Sequence, residues 1–483
     1  MDQPSPDAAR DARPLCVDLD GTLVATDTLW ESFMLLVRRA PHRVVALLFV
    51  ILGGKARLKR YLARFAPVEP KTLPYRQEVV NLARDAKTQG RPVILVTASD
   101  QTTAGLVAAH LEVFDEAVGS DGRDNLKGPR KAAFLVERYG EGGFQYVGDA
   151  TADLPVWAAA REAIMVAPHP RTLRAAQRVV SRAEVIVERP SKWRAALREL
   201  RPHQWAKNLL LFVPLYFAHE YDDWSLVFGA LMAFFAFSFS ASSIYVLNDL
   251  LDLPSDRRHR TKRNRPLASG ALAIPEGLLL MVLSFGLGLY LAVKFVNPAF
   301  VGMLLGYVAL TTLYSFVLKR LMIIDVLTLA SLFTYRVMAG SVAVQVPLSF
   351  WLLAFSIFFF TSLAFVKRYS ELIQLRQSNE RALRGRDYVL ADIPVVTAIG
   401  PAAGLLAVLV FALYINSPSI LTFYSTPQAL WGICLILVYW VTRIWFLAAR
   451  DAMHDDPVLF AVRDKVSIVC GFLSVLCLLA ARF

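Results

Sequence analysis

A chain of 483 residues, 55% hydrophobic and 19% charged with a formal charge of +12, is too apolar for an ordinary soluble enzyme. The basic surplus calls for anionic partners. Because the cations crowd beside apolar segments without a nucleic-acid-binding motif, lipid headgroups and phosphates fit and nucleic acid does not.

Residues 1–200 carry mixed charge, whereas nearly everything after Asn208 alternates long apolar runs with short polar breaks, so two domains of different solvent class are expected. Residues 1–13 are polar and rich in Asp, Pro and Ala; they read as a disordered tail and not as a secretory signal. Pro14 to Val17 is a short apolar strand ending in Asp18-Leu19-Asp20-Gly21-Thr22, which projects two carboxylates to one side and turns tightly. Residues 26–90 read as mainly helical. Their run Val44 to Leu52 is too short to span a bilayer and suits either a small core or a lipid-touching surface. Pro92 to Val96 ends in Thr97-Ala98-Ser99, and Phe144 to Val147 ends in Gly148-Asp149, with Asp153 following. Strands alternating with helices predict an α/β doubly wound parallel sheet over residues 14–168, with ligands at the carboxyl ends where these motifs fall. Residues 169–203, with Trp193, Leu197 and Leu200 among Arg and Lys, predict a linker and an interfacial helix.

From residue 204 to 483 an all-α polytopic bundle is expected. Nine segments approach the ~20 residues a crossing helix needs: 204–219, 225–247, 273–296, 298–318, 323–343, 348–367, 396–415, 428–448 and 465–482. The second runs into Asn248-Asp249, Asp252, Pro254 and Asp256, then into a basic stretch through Lys262 and Arg265. Ionisable groups at a membrane edge are costly unless they act. Spacings of three and four align the three carboxylates if the helix continues, although Pro254 is expected to bend it and turn Asp256 aside. Such a cluster suits Mg²⁺ joined to substrate phosphates, with the basic run on the remaining oxygens. Lys and Arg fill alternate loops, which places the N-terminal domain and both sites in the cytoplasm and the C-terminus outside. Tyr314, Lys319, Arg320 and Asp325 gather on the cytoplasmic side; the two cations either bind a ligand or snorkel. Arg336, halfway along its segment, is expected to face a polar cavity. The four cysteines, Cys16, Cys434, Cys470 and Cys477, have neither metal-ligand nor disulfide spacing.

The Asp18–Thr22 signature paired with Gly148-Asp149…Asp153 resembles the haloacid dehalogenase (HAD) phosphatase superfamily over residues 14–168. The resemblance implies a nucleophile at Asp18, a general acid/base at Asp20, and phosphoryl binding by Thr97, with Ser99 competing. It also implies a stabilising Lys131 or, second, Lys127, a Mg²⁺ site among Asp18, Asp20, Asp149 and Asp153, and a substrate-choosing cap at about 26–90. Residues 198–483 are similar to the UbiA superfamily of intramembrane transferases, whose first aspartate-rich motif corresponds to Asn248, Asp249, Asp252 and Asp256. The family's second acidic motif is thin here, with Asp325 its best candidate. Arg201 to Asn208 and Lys262 to Gly270 look like the sequences of decaprenyl-phosphate phosphoribosyltransferases. That branch joins phosphoribosyl pyrophosphate (PRPP) to a polyprenyl phosphate and releases pyrophosphate.

These resemblances imply a bifunctional enzyme of a bacterial inner (plasma) membrane with one Mg²⁺ site per domain. Phosphoribosyl transfer would be followed by removal of the ribose 5-phosphate. Asp249, Asp252 and Asp256 would hold the metal, and Lys207, Asn208, Asn248, Lys262, Arg265, Tyr314, Lys319, Asp325 and Arg336 would bind substrate. One alternative is a prenyltransferase using an isoprenyl diphosphate and an aromatic or lipid-soluble acceptor, with an independent phosphatase. Another is a transporter or scaffold with a vestigial phosphatase. Polyprenyl length and oligomeric state stay open, a homo-oligomer included.

Overall fold

The computed structural model describes residues 13–482 except 122–123, 181–182, 189, 378–385, 419, 421–423 and 454–455. The expected tail, up to residue 12, lies outside the described residues. The chain forms two compact units. One joins the residues up to Leu200 with Tyr245–Met281; the other is Arg201–Ile244 with Val282–Phe483.

The first unit is built on six parallel strands: β1 (Leu15–Val17), β2 (Val93–Asp100), β3 (Glu116–Ser120), β4 (Gln145–Gly148), β5 (Glu162–Val166) and β6 (Ala183–Val187). Their order is β3-β2-β1-β4-β5-β6. Leu15, Cys16 and Val17 are all buried because helices cover both faces of a parallel sheet. Strand order reverses beside β1, so a crevice opens at the carboxyl ends of β1 and β4. The Asp18 amide still donates to the Val147 carbonyl at 3.0 Å, which keeps the two motif-bearing ends level. The sheet continues through β6, so part of the expected linker after residue 168 is strand.

Between β1 and β2 lie α1 (Thr28–Arg39), α2 (Val44–Val50, continued by a 3-10 turn at Ile51–Gly53) and α3 (Lys55–Phe65). Asp27 caps α1 by accepting from the Leu29 amide, and Arg38 and Arg39 occupy its last turn, where cations favour the helix dipole. These helices share a core of Leu35, Leu36, Leu62 and Ala66, with Val44 and Leu47 packed on it. The run Val44 to Leu52 is therefore core on one side only. The following helix, Gln77–Thr88, buries Val79, Val80, Ala83 and Ala86 against the sheet, so the helical insertion ends short of residue 90.

Tyr245–Met281, expected to belong with the membrane half, packs within this first unit. Val246, Leu250, Leu253, Leu267 and Ile274 form one cluster with Met34 and Ala195. Glu31 pairs with Arg257 at 2.6 Å, both side chains buried, and also accepts from the Thr26 hydroxyl at 2.7 Å. Arg38 donates to the Leu251 carbonyl at 3.0 Å and lies 3.5 Å from Asp252. Gly270 adopts φ +78°, and a Cβ there would run into the Ala25 carbonyl, so only glycine fits.

Among the described residues, eight helices are long and apolar enough to cross a membrane: Trp224–Leu251, Ile274–Phe295, Pro298–Arg320, Ile324–Val344, Phe350–Arg376, Leu390–Ile415, Pro427–Ala449 and Lys465–Arg482. The expected first segment is different. It is a 3-10 stretch, Pro202–Phe212, followed by the short helix Val213–Phe217. Pro202 and Pro214 each remove a backbone donor, and three side chains of the stretch are drawn into tertiary contacts. Trp205 donates to Ser242 at 3.0 Å, Asn208 to Ser238 at 2.9 Å and Lys207 to Asp456 at 2.9 Å. Gly340 lies flush on the Leu211 backbone, where a Cβ would clash. No cysteine is paired.

Candidate functional site

At the carboxyl end of β1, Asp18 lies 3.0 Å from the Lys131 ammonium, which the helix α4 (Pro129–Tyr139) delivers in a fully buried position. Lys131 also donates to the Tyr146 hydroxyl at 2.6 Å and sits 3.7 Å from Asp153. The Tyr146 hydroxyl in turn donates to Asp153 at 2.9 Å. Asp20 accepts the Thr28 amide at 2.8 Å and the Ser99 hydroxyl at 2.5 Å, so the first residue of α1 and the end of β2 fix its orientation. Thr97 is buried in β2, and its hydroxyl accepts from the Ser99 amide at 3.0 Å. Gly21, at φ +76°, makes room for the Asp149 carboxylate, and a side chain there would occupy that carboxylate's place. Lys127 is exposed at the rim, so of the two lysines only Lys131 touches Asp18.

The charge balance is lopsided. Burial, opposed by Lys131 and reinforced by Asp153 and Asp20, pushes the Asp18 carboxyl up to about 6. Burial and the neighbouring Asp153 and Asp18 drive Asp149 well above the carboxylate range. Burial and Asp27 raise Asp20 against its hydrogen bonds from Ser99 and Thr28. Burial alone would lower Lys131, yet Asp18 and Asp153 leave it raised. Four carboxyl groups thus crowd a site in which the buried Lys131 pairs with only two of them, Asp18 and Asp153. Asp18, Asp149 and Asp153 each offer an oxygen within 4.8 Å of the others, the only such acidic, His or Cys group among the described residues. That donor set and charge deficit fit a divalent cation; Asp20 stands beside it with both oxygens engaged.

The acidic motif at the end of Trp224–Leu251 looks different. The long helix stops at Leu251, Asp252 sits at the break, and Leu253–Arg258 begins a new short helix with Pro254 in its first turn. The expected bend is present, but the expected odd member is not. Arg265 bridges Asp249 at 2.9 Å and Asp256 at 2.6 Å, so these two point together. Asp252 is the one turned away, towards Arg38. Burial raises Asp256, with Arg265 opposing and Asp249 reinforcing. Asn248 is half-buried and Lys262 exposed. Arg257, part of the basic run expected to meet phosphates, is committed to Glu31.

In the second unit Arg336 does not face an open polar cavity. It is buried and donates to Asn208 at 3.0 Å, to the Tyr307 hydroxyl at 2.8 Å and to the Leu332 carbonyl at 2.6 Å, with Tyr307 and Phe333 rings against it. Asp325, also fully buried, accepts from Tyr314 at 2.7 Å and Arg386 at 3.0 Å and meets Arg368 at 2.5 Å. Arg368 also pairs with Glu371. As arranged, Asp325 is an anchor for arginines rather than an open metal ligand. Lys319 is half-buried in the turn Leu318–Arg320. Sequence reading overlooks Asp456, Glu371 and the roles of Lys367, Arg368 and Arg386. Lys367-Arg368 at the end of an apolar run with Glu371 three residues on was the available signal, as was Asp456-Pro457, an N-cap signature. Burial would raise Asp456, but Lys207 at 2.9 Å and Lys367 at 3.4 Å outweigh it and hold its carboxyl below the usual range.

Residues 209–479 match the UbiA prenyltransferase family. Protein y4nM of Sinorhizobium fredii is 39% identical over 95% of this chain and 89% of its own length, so both units have counterparts there. A decaprenyl-phosphate phosphoribosyltransferase of Mycolicibacterium smegmatis is 30% identical over 56% of this chain and 86% of its own length. A substrate-bound phosphoserine phosphatase structure shares 15% identity, covering 36% of this chain and 92% of that one, with a TM-score of 0.26.

Proposed function

Because the chain belongs to the UbiA prenyltransferase family, we propose that it is a two-step lipid-modifying enzyme: a Mg²⁺-dependent phosphoribosyl transfer from PRPP to a polyprenyl phosphate, followed by removal of the ribose 5-phosphate. The observation that carries this reading is the cluster of Asp18, Asp20, Thr97, Lys131, Asp149 and Asp153 at the strand ends, a set suited to phosphomonoester hydrolysis, on the same chain as the transferase. A phosphoribosyl lipid retains a 5-phosphate, so a phosphatase has a substrate there. A prenylated aromatic product would not supply one. The kinship to a decaprenyl-phosphate phosphoribosyltransferase supports the donor, and the engagement of Asp325 by Arg368 and Arg386 weighs against a second metal-binding acidic motif.

In the phosphatase step the Asp18 carboxylate attacks phosphorus while the ester bond to the ribose C5 oxygen breaks, and Asp20 protonates that oxygen. Lys131 and Thr97 hold the non-bridging oxygens. Water then opens the aspartyl-phosphate with Asp20 taking its proton, releasing inorganic phosphate and restoring Asp18. In the transferase step the lipid phosphate oxygen bonds to the ribose anomeric carbon as the bond to pyrophosphate breaks. Arg265, carried by Asp249 and Asp256, is placed to receive pyrophosphate oxygens. Mg²⁺ would be held by Asp18, Asp149 and Asp153 in the first unit and would neutralise phosphate charge there; at the other acidic motif Asp249 and Asp256 would take a cation only in exchange for Arg265, with Asp252 turned away. Both sites are assigned to the cytoplasmic face of a bacterial plasma membrane, where the basic loops belong and PRPP is soluble.

The test is purified protein in lipid discs with PRPP, Mg²⁺ and a polyprenyl phosphate. Pyrophosphate and then inorganic phosphate are expected, with polyprenyl-phosphate ribose as the lipid product. A preparation that hydrolyses phosphomonoesters yet never releases pyrophosphate from PRPP overturns the phosphoribosyl reading.

A further inference from the structure

Val45, Leu48, Phe49 and Leu52 recur at i, i+3, i+4 and i+7 along the helical stretch Pro41–Gly53, a single stripe. The opposite side of that stretch, Val44 and Leu47, is packed on Leu35, Leu36 and Leu62. The stripe itself is bare: Phe49 is 73% exposed and Leu52 83%. Contiguous apolar surface on a folded domain marks an interaction site. The stretch is too short to cross a bilayer, which leaves lying on one.

The surroundings choose the occupant. From residue 32 to residue 68 the chain contains eight Lys or Arg and no Asp or Glu. Arg39, His42, Lys55 and Arg57 are exposed along the same segment. An apolar ridge on a segment whose charged residues are all cations matches the surface of an anionic bilayer, which accepts apolar side chains and rewards basic ones. A second copy of the segment would instead oppose like charges. The same chain also carries helices long and apolar enough to cross a membrane. Immediately after the stripe comes α3, whose Lys59 donates to the Ala98 carbonyl at 2.5 Å and to Asn125 at 3.1 Å. Ala98 lies between Thr97 and Ser99 on β2, so the helix following the bare stripe ends its reach at the mouth of the phosphatase pocket.

We propose that the Val45–Leu52 stripe seats the helical cap in the headgroup layer of an anionic membrane and opens the phosphatase pocket onto lipid-borne phosphate. The seat deepens the phosphatase reading, and only its activity arm rests on that reading.

The full-length protein carrying Leu52→Cys and Cys477→Ser is labelled with an environment-sensitive fluorophore and placed in discs of phosphatidylglycerol. Brominated acyl chains are expected to quench the label, and Leu48→Glu with Phe49→Glu to abolish the quenching. The same double variant should lose on the order of tenfold in hydrolysis of a phosphorylated lipid in the disc while keeping its rate on soluble p-nitrophenyl phosphate. A label indifferent to brominated lipid overturns the seat. Quenching without hydrolysis of either monoester upholds the seat and sinks the phosphatase reading instead.

Discussion

Two buried aspartates in this chain live under opposite conditions. Asp18 shares the buried Lys131 with Asp153 in a cluster that also holds Asp20 and Asp149, whereas Asp325 meets Arg368, Arg386 and a tyrosine hydroxyl, with Glu371 the other carboxylate on those arginines. The first environment has surplus negative charge and free lone pairs, which suits a divalent cation and an attacking carboxylate. The second is saturated, which suits holding arginines still. A carboxylate's role is thus legible in the cations around it, more than in its own position within a motif.

The strongest way to break that contrast is Asp18→Asn. Phosphate release should fall by roughly a thousandfold or more, since the nucleophile is gone, while pyrophosphate release continues and a 5-phosphorylated lipid accumulates. Mass spectrometry of the lipid product reads both, and a simultaneous halt of transfer contradicts the division of labour. Next in size is Arg368→Met, which leaves Asp325 buried beside a weaker set of partners. It should cost about 3–5 kcal/mol, seen as a lower melting temperature in detergent, with Asp325→Asn restoring part of the loss. Glu31→Gln should cost less, about 1–3 kcal/mol, and hydrogen exchange should rise in Tyr245–Met281, the segment that Arg257 ties down. Adding Mg²⁺ should raise the melting temperature of the first unit, and Asp149→Asn should remove most of that rise; an unchanged response would place the metal elsewhere. The smallest effect belongs to Lys127→Ala, no more than about threefold on phosphate release for an exposed rim charge, against near-complete loss for Lys131→Ala.

Short-range patterns carried much of this. A strand's alternation and a tight turn put Asp18 and Asp20 together, and the three strand-end motifs met at one crevice because parallel strands bring their carboxyl ends level. Long-range pairing was harder. Nothing near Asp456 in sequence announces Lys207 and Lys367, and nothing near Glu31 announces Arg257. The Pro254 bend was foreseeable, but which carboxylate it turns aside depends on Arg265 reaching back to both Asp249 and Asp256. The segment at 204–219 was apolar enough to suggest a regular crossing helix. Its indole, amide and ammonium groups found partners that a 3-10 stretch satisfies. Arg336 stands out in the sequence as a charge in mid-segment. Its cost is met by hydrogen bonds within the protein, which no sequence spacing reveals.

The helix α1 works as a ruler. Its first amide holds Asp20, and its last turn sends Arg38 to the Leu251 carbonyl beside Asp252. Twelve helical residues span about 18 Å, a fixed interval between the strand-end carboxylates and the acidic motif at Asp252. The same rigidity makes the helix intolerant of length change. One inserted residue would swing Arg38 by about 100° around the axis while leaving Asp20 in place. Insertions elsewhere in the cap's loops carry no such penalty, so natural length variation among relatives should fall outside Thr28–Arg39.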